Sequence, residues 1–356
     1  MKPQKYGVFI GRFQPLHIGH IDLIYKTLNT IPIEIDKLII LIGSSNLTCS
    51  IKNPFSFEER EEMIRAEFKG MEHKIIIHPL RDYFYDELAW IERVKNILDY
   101  IVPIKDRELN QIKLIGQYKD KSSYYLKSFP YESSRTKYSI LKDKEEQTIS
   151  AATIRDSLFQ DNPRFDLIPE STHGLIQQFL KTEKFKDLKE EYKYIQDYKS
   201  SWSASPYNPI FVTVDCVVEY DNKVLLIERR EHPGKGKMAL PGGFINGNET
   251  LEEAAIRELE EETKIISLNP EITPKIVQSL VFDYPERSSR GRVISHTFHL
   301  KITNTTLPKI KASDDAKFFT WVDINLLKDQ SISSIFHCTD FHEDHYQILE
   351  KCFELK

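Results

Sequence analysis

At 356 residues the chain exceeds one ordinary domain, and its 40% hydrophobic and 29% charged residues are the proportions of a soluble globular protein. A formal net charge of −5 gives no global attraction to nucleic acid, and no run of about 18 apolar residues is present to span a bilayer. Four scattered cysteines, Cys49, Cys216, Cys338 and Cys352, form no CxxC pair, which argues against a disulfide framework or a zinc site. The opening MKPQKYG lacks the apolar stretch of a signal peptide, so a cytoplasmic location is expected.

Apolar runs at 6–10, 37–42, 74–78 and 112–116 alternate with helical stretches near 19–30, 56–69 and 86–102. That alternation predicts an α/β fold, a doubly wound parallel sheet covered on both faces. Ligands of such sheets bind beyond the carboxyl ends of the strands. GRFQPLHIGH, residues 11–20, sits there, as does Ile42-Gly43-Ser44-Ser45. The first stretch is either a strand-to-helix turn shaped by Gly11, Pro15 and Gly19, or a phosphate site. In the second case His17 and His20 donate to the anion at a helix N-terminus.

Residues 181–205 are charged and aromatic, then small and polar, and read as a helical or extended connector. They divide the chain into a domain at 1–185, a linker at 186–206 and a domain at 207–356. Beyond Pro209 the pattern changes to α+β. Strands at 210–219 and 223–229 are joined by the hairpin signal Asp221-Asn222, and an acidic helix begins near Thr250.

On that helix Glu258 and Glu262 are four apart, with Glu261 beside them. Like charges at this spacing repel, and a divalent cation turns the repulsion into attraction. A solvated acidic face is the plainer reading. From Gly243, Glu249 follows after five residues, and Arg257-Glu258-Leu259-Glu260-Glu261-Glu262 after seven more. The string resembles the Nudix box and departs from it at one position, where Lys264 replaces the glycine that ends the helix. The resemblance implies Mg²⁺ (or Mn²⁺) on Glu258, Glu261 and Glu262, with Glu261 and Glu262 counted as catalytic. Arg257 would orient the carboxylates, Glu249 would support the loop, and Gly242 and Gly243 would form the strand beside it. The stretch Phe282–Arg292 looks like that of Nudix proteins handling ADP-ribose. Its three arginines either hold a diphosphate or form a solvated hairpin tip, and Arg287 and Arg292 are the substrate residues expected. Glu286 and Asp344 are candidate general bases.

GRFQPLHIGH is in turn similar to the first nucleotidylyltransferase signature. Ile149-Ser150-Ala151-Ala152-Thr153-Ile154-Arg155 is similar to the second, with one additional residue between Ser and Thr. The resemblance implies a Rossmann-like nucleotidylyltransferase domain binding ATP through Gly11, Arg12, Phe13, His17, Gly19, His20, Ser150, Thr153 and Arg155. His17, His20 and Arg155 would act on the transferred phosphate. Asn53-Pro54-Phe55-Ser56-Phe57-Glu58-Glu59-Arg60, Arg81-Asp82-Tyr83 with Trp90, and Gly116–Asp120 with Ser122–Leu126 look like nicotinamide mononucleotide (NMN) adenylyltransferases of the archaeal type. Asn53, Asp82 and Trp90 are then the expected NMN contacts. Trp90 stacks on the nicotinamide or packs as a core aromatic, and Asp82 contacts the nucleotide or caps a turn. Tyr118 stands where related proteins carry His.

Along almost its whole length the chain resembles the bifunctional NMN adenylyltransferase/Nudix hydrolases of the ADP-ribose pyrophosphatase type. This implies NAD and pyrophosphate from NMN and ATP, and Mg²⁺-dependent cleavage of ADP-ribose to AMP and ribose 5-phosphate. A rival reading makes the second domain a non-catalytic sensor of ADP-ribose or a dinucleotide. The expected partners are the small molecules ATP, NMN, NAD and ADP-ribose, with room for a homo-oligomer and no nucleic acid or membrane.

Overall fold

A computed structural model describes residues 4–29, 35–103, 112–116, 129, 132–134, 149–303, 306–311, 316–328 and 334–355. Gln117–Asp120 and Ser122–Leu126, Tyr118 among them, lie outside these residues. The chain divides into two compact units, Met1–Lys189 and Glu190–Lys356.

The first unit is built on β1 (Tyr6–Gly11), β2 (Lys37–Ile42), β3 (Ile75–Pro79), β4 (Ile112–Ile115) and β5 (Glu132–Ser134). They lie in the order β3-β2-β1-β4-β5, every pair parallel. Its helices are α1 (Ile18–Leu28), α2 (Phe57–Glu67), α3 (Glu87–Ile101), α4 (Ala151–Phe159) and α5 (His173–Phe179). A sixth, α6 (Glu183–Ser201), runs through the division between units, so residues 186–201 of the expected linker are helical.

Leu38 to Ile42 are all fully buried, as a strand covered on both faces requires. Val94, Ile97 and Leu98 of α3 pack on Val8, Ile39, Leu41 and Leu114, each such aliphatic side chain contributing roughly 1.5–3 kcal/mol. A reciprocal Ser56–Glu59 capping box starts α2. The polar triplet of β5 carries no apolar signal, and its strand geometry comes from pairing with β4. Winding proceeds to β2 and β3 on one side of β1 and to β4 and β5 on the other. That reversal opens a crevice at the carboxyl end of β1.

The second unit holds β6 (Ile210–Tyr220), β7 (Lys223–Arg229), β8 (Met238–Ala239), β9 (Gly242–Phe244), α7 (Leu251–Thr263) and α8 (Ile265–Leu268). Then follow β10 (Lys275–Phe282), β11 (Arg292–Ile302), β12 (Ala316–Asp323), α9 (Ile324–Lys328) and α10 (His345–Phe353). The sheet order is β10-β11-β6-β7-β12, with β8 paired to β7 and β9 to β6. Only β6 and β11 run parallel among these pairs. Asp221 and Asn222 take left-handed φ values of 45° and 59°, the double left-handed turn that closes a two-residue hairpin. Small Ala254 and Ala255 let α7 lie against Val214, Cys216 and Val218, and the Cys216 thiol donates to the Ala255 carbonyl. No helix among the described residues is long and apolar enough to cross a membrane.

Candidate active sites

The turn after β1 is fastened from three directions. Gln14 grips the backbone of Phe55, its Nε2 donating to the carbonyl at 2.8 Å and its Oε1 accepting from the amide at 3.0 Å. The Gln14 carbonyl accepts from Arg155 Nη1 at 2.8 Å, which brings α4 to the turn across 141 residues of sequence. Arg60, 1% exposed, donates to the carbonyls of Arg12 (2.8 Å), Gly43 (2.6 Å), Ser44 (3.3 Å) and Ser56 (3.0 Å). Burial lowers its pKa to about 10. One guanidinium therefore joins the loops that leave β1 and β2.

Within that turn Phe13 adopts φ 51° and buries its ring edge-on to Phe9. His17 and His20 stack with ring centroids 3.6 Å apart, and Gly19 lies over the His17 ring. Arg12 is exposed. Ser150 caps α4, its Oγ accepting from the Ala152 amide, while Thr153 is exposed one turn on. The structure thus gathers Gly11, Arg12, Phe13, His17, Gly19, His20, Ser150 and Arg155 around the β1 turn and the start of α4.

Asp82 accepts from the Ser44 amide (3.2 Å) and hydroxyl (2.6 Å). Burial raises its pKa, opposed by Ser44, Arg12 and Arg60. It thus joins the same crevice rather than a turn cap alone. Asn53 is buried, with no hydrogen-bond partner for its Oδ1. Trp90 packs on the sheet core and against Phe129, the core-aromatic alternative.

In the second unit a Thr250–Glu253 capping box starts the acidic helix at its expected origin, with Thr250 as the N-cap. Arg257 satisfies all five of its N–H donors. Nε and Nη2 hold Glu249 (2.9 and 2.7 Å), Nη1 bridges Glu258 (2.8 Å) and Glu261 (2.9 Å), and Nη2 also reaches the Phe244 carbonyl at 3.0 Å. Arg257 holds the Glu249 carboxyl down at about 2, and Glu249 in turn raises the guanidinium pKa. Burial instead raises Glu258. Glu262, 5% exposed, accepts from the Gly242 amide at 3.0 Å.

Both glycines of β9 lie in close approach, and Gly242 is sterically required. Gly242 has φ 159°, and a Cβ there would lie 2.2 Å from the Val214 carbonyl oxygen. One at Gly243 would lie 2.5 Å from Glu258 Oε1, so the strand presses its bare backbone on that carboxylate. Lys264 takes the left-handed conformation (φ 53°, ψ 21°) in which α7 ends. The turn keeps the geometry that favours glycine, at a cost of roughly 1–2 kcal/mol.

Among the described residues no three His, Cys, Asp or Glu side chains converge on one point as metal ligands. Arg257 stands between Glu258 and Glu261, and Glu262 holds a backbone amide. The donor set nonetheless fits a divalent cation. It offers three hard carboxylates, one of them destabilised as an anion by burial.

The loop between β10 and β11 corrects two expectations. Asp344 is fully buried, with both oxygens bound by Arg287 at 2.8 Å, so it cannot serve as a general base. Arg287, 4% exposed at its side chain, is committed to this buried ion pair. Arg292 donates to the Asp283 carbonyl at 2.5 Å, and Glu286 is exposed. Gln14 and Arg60 escaped the sequence reading as site residues. Each lay inside a quoted stretch, yet nothing local marks a side chain whose acceptors are distant backbone carbonyls.

A Cytidylyltransferase-like family model matches residues 8–157 and a NUDIX domain model residues 209–350. The chain is 34% identical over 189 residues to a nicotinamide/nicotinic acid mononucleotide adenylyltransferase of Acinetobacter baylyi, covering 53% of this chain and 93% of that protein. It is 46% identical over 117 residues to an ADP-ribose pyrophosphatase of Methanocaldococcus jannaschii, covering 33% of this chain and 63% of that one. The crystal structure of a bifunctional NMN adenylyltransferase/ADP ribose pyrophosphatase from Francisella tularensis is 34% identical and covers 99% of both chains at a TM-score of 0.84. Its complex with AMP and Mn ion gives 0.82 over the same coverage.

Proposed function

The chain belongs to the family of bifunctional NMN adenylyltransferase/ADP-ribose pyrophosphatases, and we infer that it performs both reactions, one in each unit. The observation that carries this is the likeness to the Francisella protein over 99% of both chains. The first unit makes NAD from NMN and ATP. The second hydrolyses ADP-ribose.

In the first unit the NMN phosphate attacks the α-phosphorus of ATP in line, and pyrophosphate leaves. No covalent group is needed, only positioning and neutralisation of charge. Arg12, His17, His20 and Arg155 hold the triphosphate on the turn that Gly11, Phe13 and Gly19 shape. The histidines can donate whether neutral or protonated. Gln14 aims Arg155 by accepting one of its N–H groups, and Ser150 and Thr153 secure the start of α4. Asn53 and Asp82 contact NMN, while Trp90 backs the site from the sheet core, packed against Phe129.

In the second unit Glu258, Glu261 and Glu262 hold the divalent cation, Mg²⁺ or Mn²⁺. When bound, the cation supplies Lewis acidity at the diphosphate. Arg257, braced by Glu249 and the Phe244 carbonyl, orients Glu258 and Glu261. Gly242 and Gly243 let β9 approach these carboxylates. Glu286 is the one of the two candidate bases that solvent reaches. A sensor that had lost hydrolysis would not need all three carboxylates, and Lys264 leaves the helix end intact.

We place the enzyme in the cytoplasm with ATP, NMN, NAD and ADP-ribose as its small-molecule partners. The test supplies purified protein with Mg²⁺ and, separately, NMN plus ATP or ADP-ribose. NAD formation lost only in His20→Ala, and AMP release lost only in Glu261→Gln, support the assignment. Tight binding of ADP-ribose by the wild type without AMP release would make the second unit a sensor.

A further inference from the structure

Three arginines lie on the loop between β10 and the start of β11, and tertiary contacts separate them. Arg287 is bound to Asp344, and Arg292 to the carbonyl of Asp283, whose carboxylate lies 4.0 Å away. Arg290 differs. Its guanidinium carbon lies 4.9 Å from the centroid of the Phe244 ring, and its side chain donates no hydrogen bond. Its Nε is buried without an acceptor. Among the described residues no carboxylate lies within ion-pairing distance of it.

The position of Phe244 gives this consequence. Phe244 ends the Gly242–Phe244 strand, and its carbonyl accepts from Arg257, the residue that spans Glu258 and Glu261. One residue thus serves the acidic helix with its backbone and carries Arg290 on its ring. Phe211 packs edge-on against that ring from β6, with centroids 5.8 Å apart. The loop is fixed on either side of Arg290. The Ser289 amide donates to Glu343 Oε1 at 3.0 Å, the Arg290 amide to Ser288 Oγ at 3.3 Å, and Arg292 enters the ladder opposite Ile210.

A guanidinium held over an aromatic face is positioned in advance, and with Nε buried its two terminal nitrogens remain available to an acceptor with two oxygens. The loop around it supplies none. A phosphate matches that fork in geometry and charge. We propose that Arg290 is the residue of the second unit that binds the diphosphate of its nucleoside diphosphate substrate, with the Phe244 ring as its platform. This assignment rests on the ADP-ribose reading of that unit and replaces Arg287 and Arg292 as the phosphate contacts.

The test compares wild type with Arg290→Gln, Arg290→Lys and Phe244→Leu in the full chain. KM and kcat are measured for ADP-ribose with Mg²⁺, and equilibrium binding of ADP-ribose is measured in a Glu261→Gln background. Arg290→Gln raises KM and weakens binding by about tenfold or more, with kcat within a few-fold of wild type. Lys, which keeps the charge and loses the fork, recovers part of the loss. Phe244→Leu, which keeps the arginine and removes its platform, gives a smaller rise in KM. NAD synthesis is unchanged in all three. A KM within twofold of wild type in Arg290→Gln overturns the proposal, as does a fall in kcat with unchanged binding. Failure of the wild type itself to bind or cleave ADP-ribose would instead overturn the reading beneath it.

Discussion

Arg287 and Asp344 meet in a two-pronged ion pair, both contacts at 2.8 Å, with their side chains 4% and 0% exposed. The pair ties the loop after β10 to the start of α10, where His345 Nδ1 accepts from the Leu240 amide next to the strand of the two glycines. Asp215 lies 3.9 Å from the same guanidinium and accepts from the Ser295 hydroxyl. A buried pair of this kind holds elements in register, and losing one partner leaves a charge stranded.

Asp344→Ala is expected to destabilise the second unit by about 3–5 kcal/mol. The joint change Arg287→Met with Asp344→Leu, which removes both charges, recovers most of that loss. Denaturant unfolding, followed by loss of ADP-ribose hydrolysis, measures both. A small effect of Asp344→Ala on stability with a large one on kcat would return Asp344 to the chemistry.

Arg60 tests whether the loops of β1 and β2 need their common anchor. Arg60→Met removes donors from four carbonyls and is expected to cost the first unit about 3 kcal/mol. NAD synthesis falls with it, while AMP release from ADP-ribose persists in the same preparation. Equal loss of both activities would contradict a role confined to the first unit.

Lys264→Gly places the residue without a Cβ penalty in a left-handed helix end and is expected to stabilise the second unit by about 1 kcal/mol. Thermal unfolding reads the gain. The kcat for ADP-ribose is unchanged, because the backbone already holds this turn.

Glu249 supplies a pH signature. Its pKa is lowered from 4.5 to about 2, with Arg257 the first cause. A depressed carboxylate contributes stability that is fully present above its unfolded value and lost as pH falls through the folded one. The contribution is therefore complete above about pH 4.5 and disappears as the pH falls to about 2. Carbon-13 NMR titration of the Glu249 carboxyl should find this midpoint, and Arg257→Gln should return it towards 4.5. An unmoved midpoint would show that the ion pair does not form in solution.

Local pattern made much of this architecture legible. Strands β1 to β4 are short apolar runs, buried most completely in β2 and least in the edge strand β3, and α7 announces itself through Thr250 and Glu253 as well as its glutamates. The Asp221-Asn222 turn is equally local, since two left-handed residues are what its sequence favours. Strand β5 was not legible, because Glu132-Ser133-Ser134 becomes a strand only by pairing with β4.

What the sequence determined by itself was therefore the identity and spacing of the chemical groups: two histidines on a turn, three carboxylates on one helix, and a loop with three arginines. It could not distribute those arginines. Arg287, Arg290 and Arg292 are near neighbours of one chemistry, and each takes its role from a different contact: Asp344, 57 residues away, the ring of Phe244, and the carbonyl of Asp283. Hydrogen bonds and ring contacts act over a few ångströms of space, so only the folded chain decides which cation is neutralised and which is left to meet a ligand.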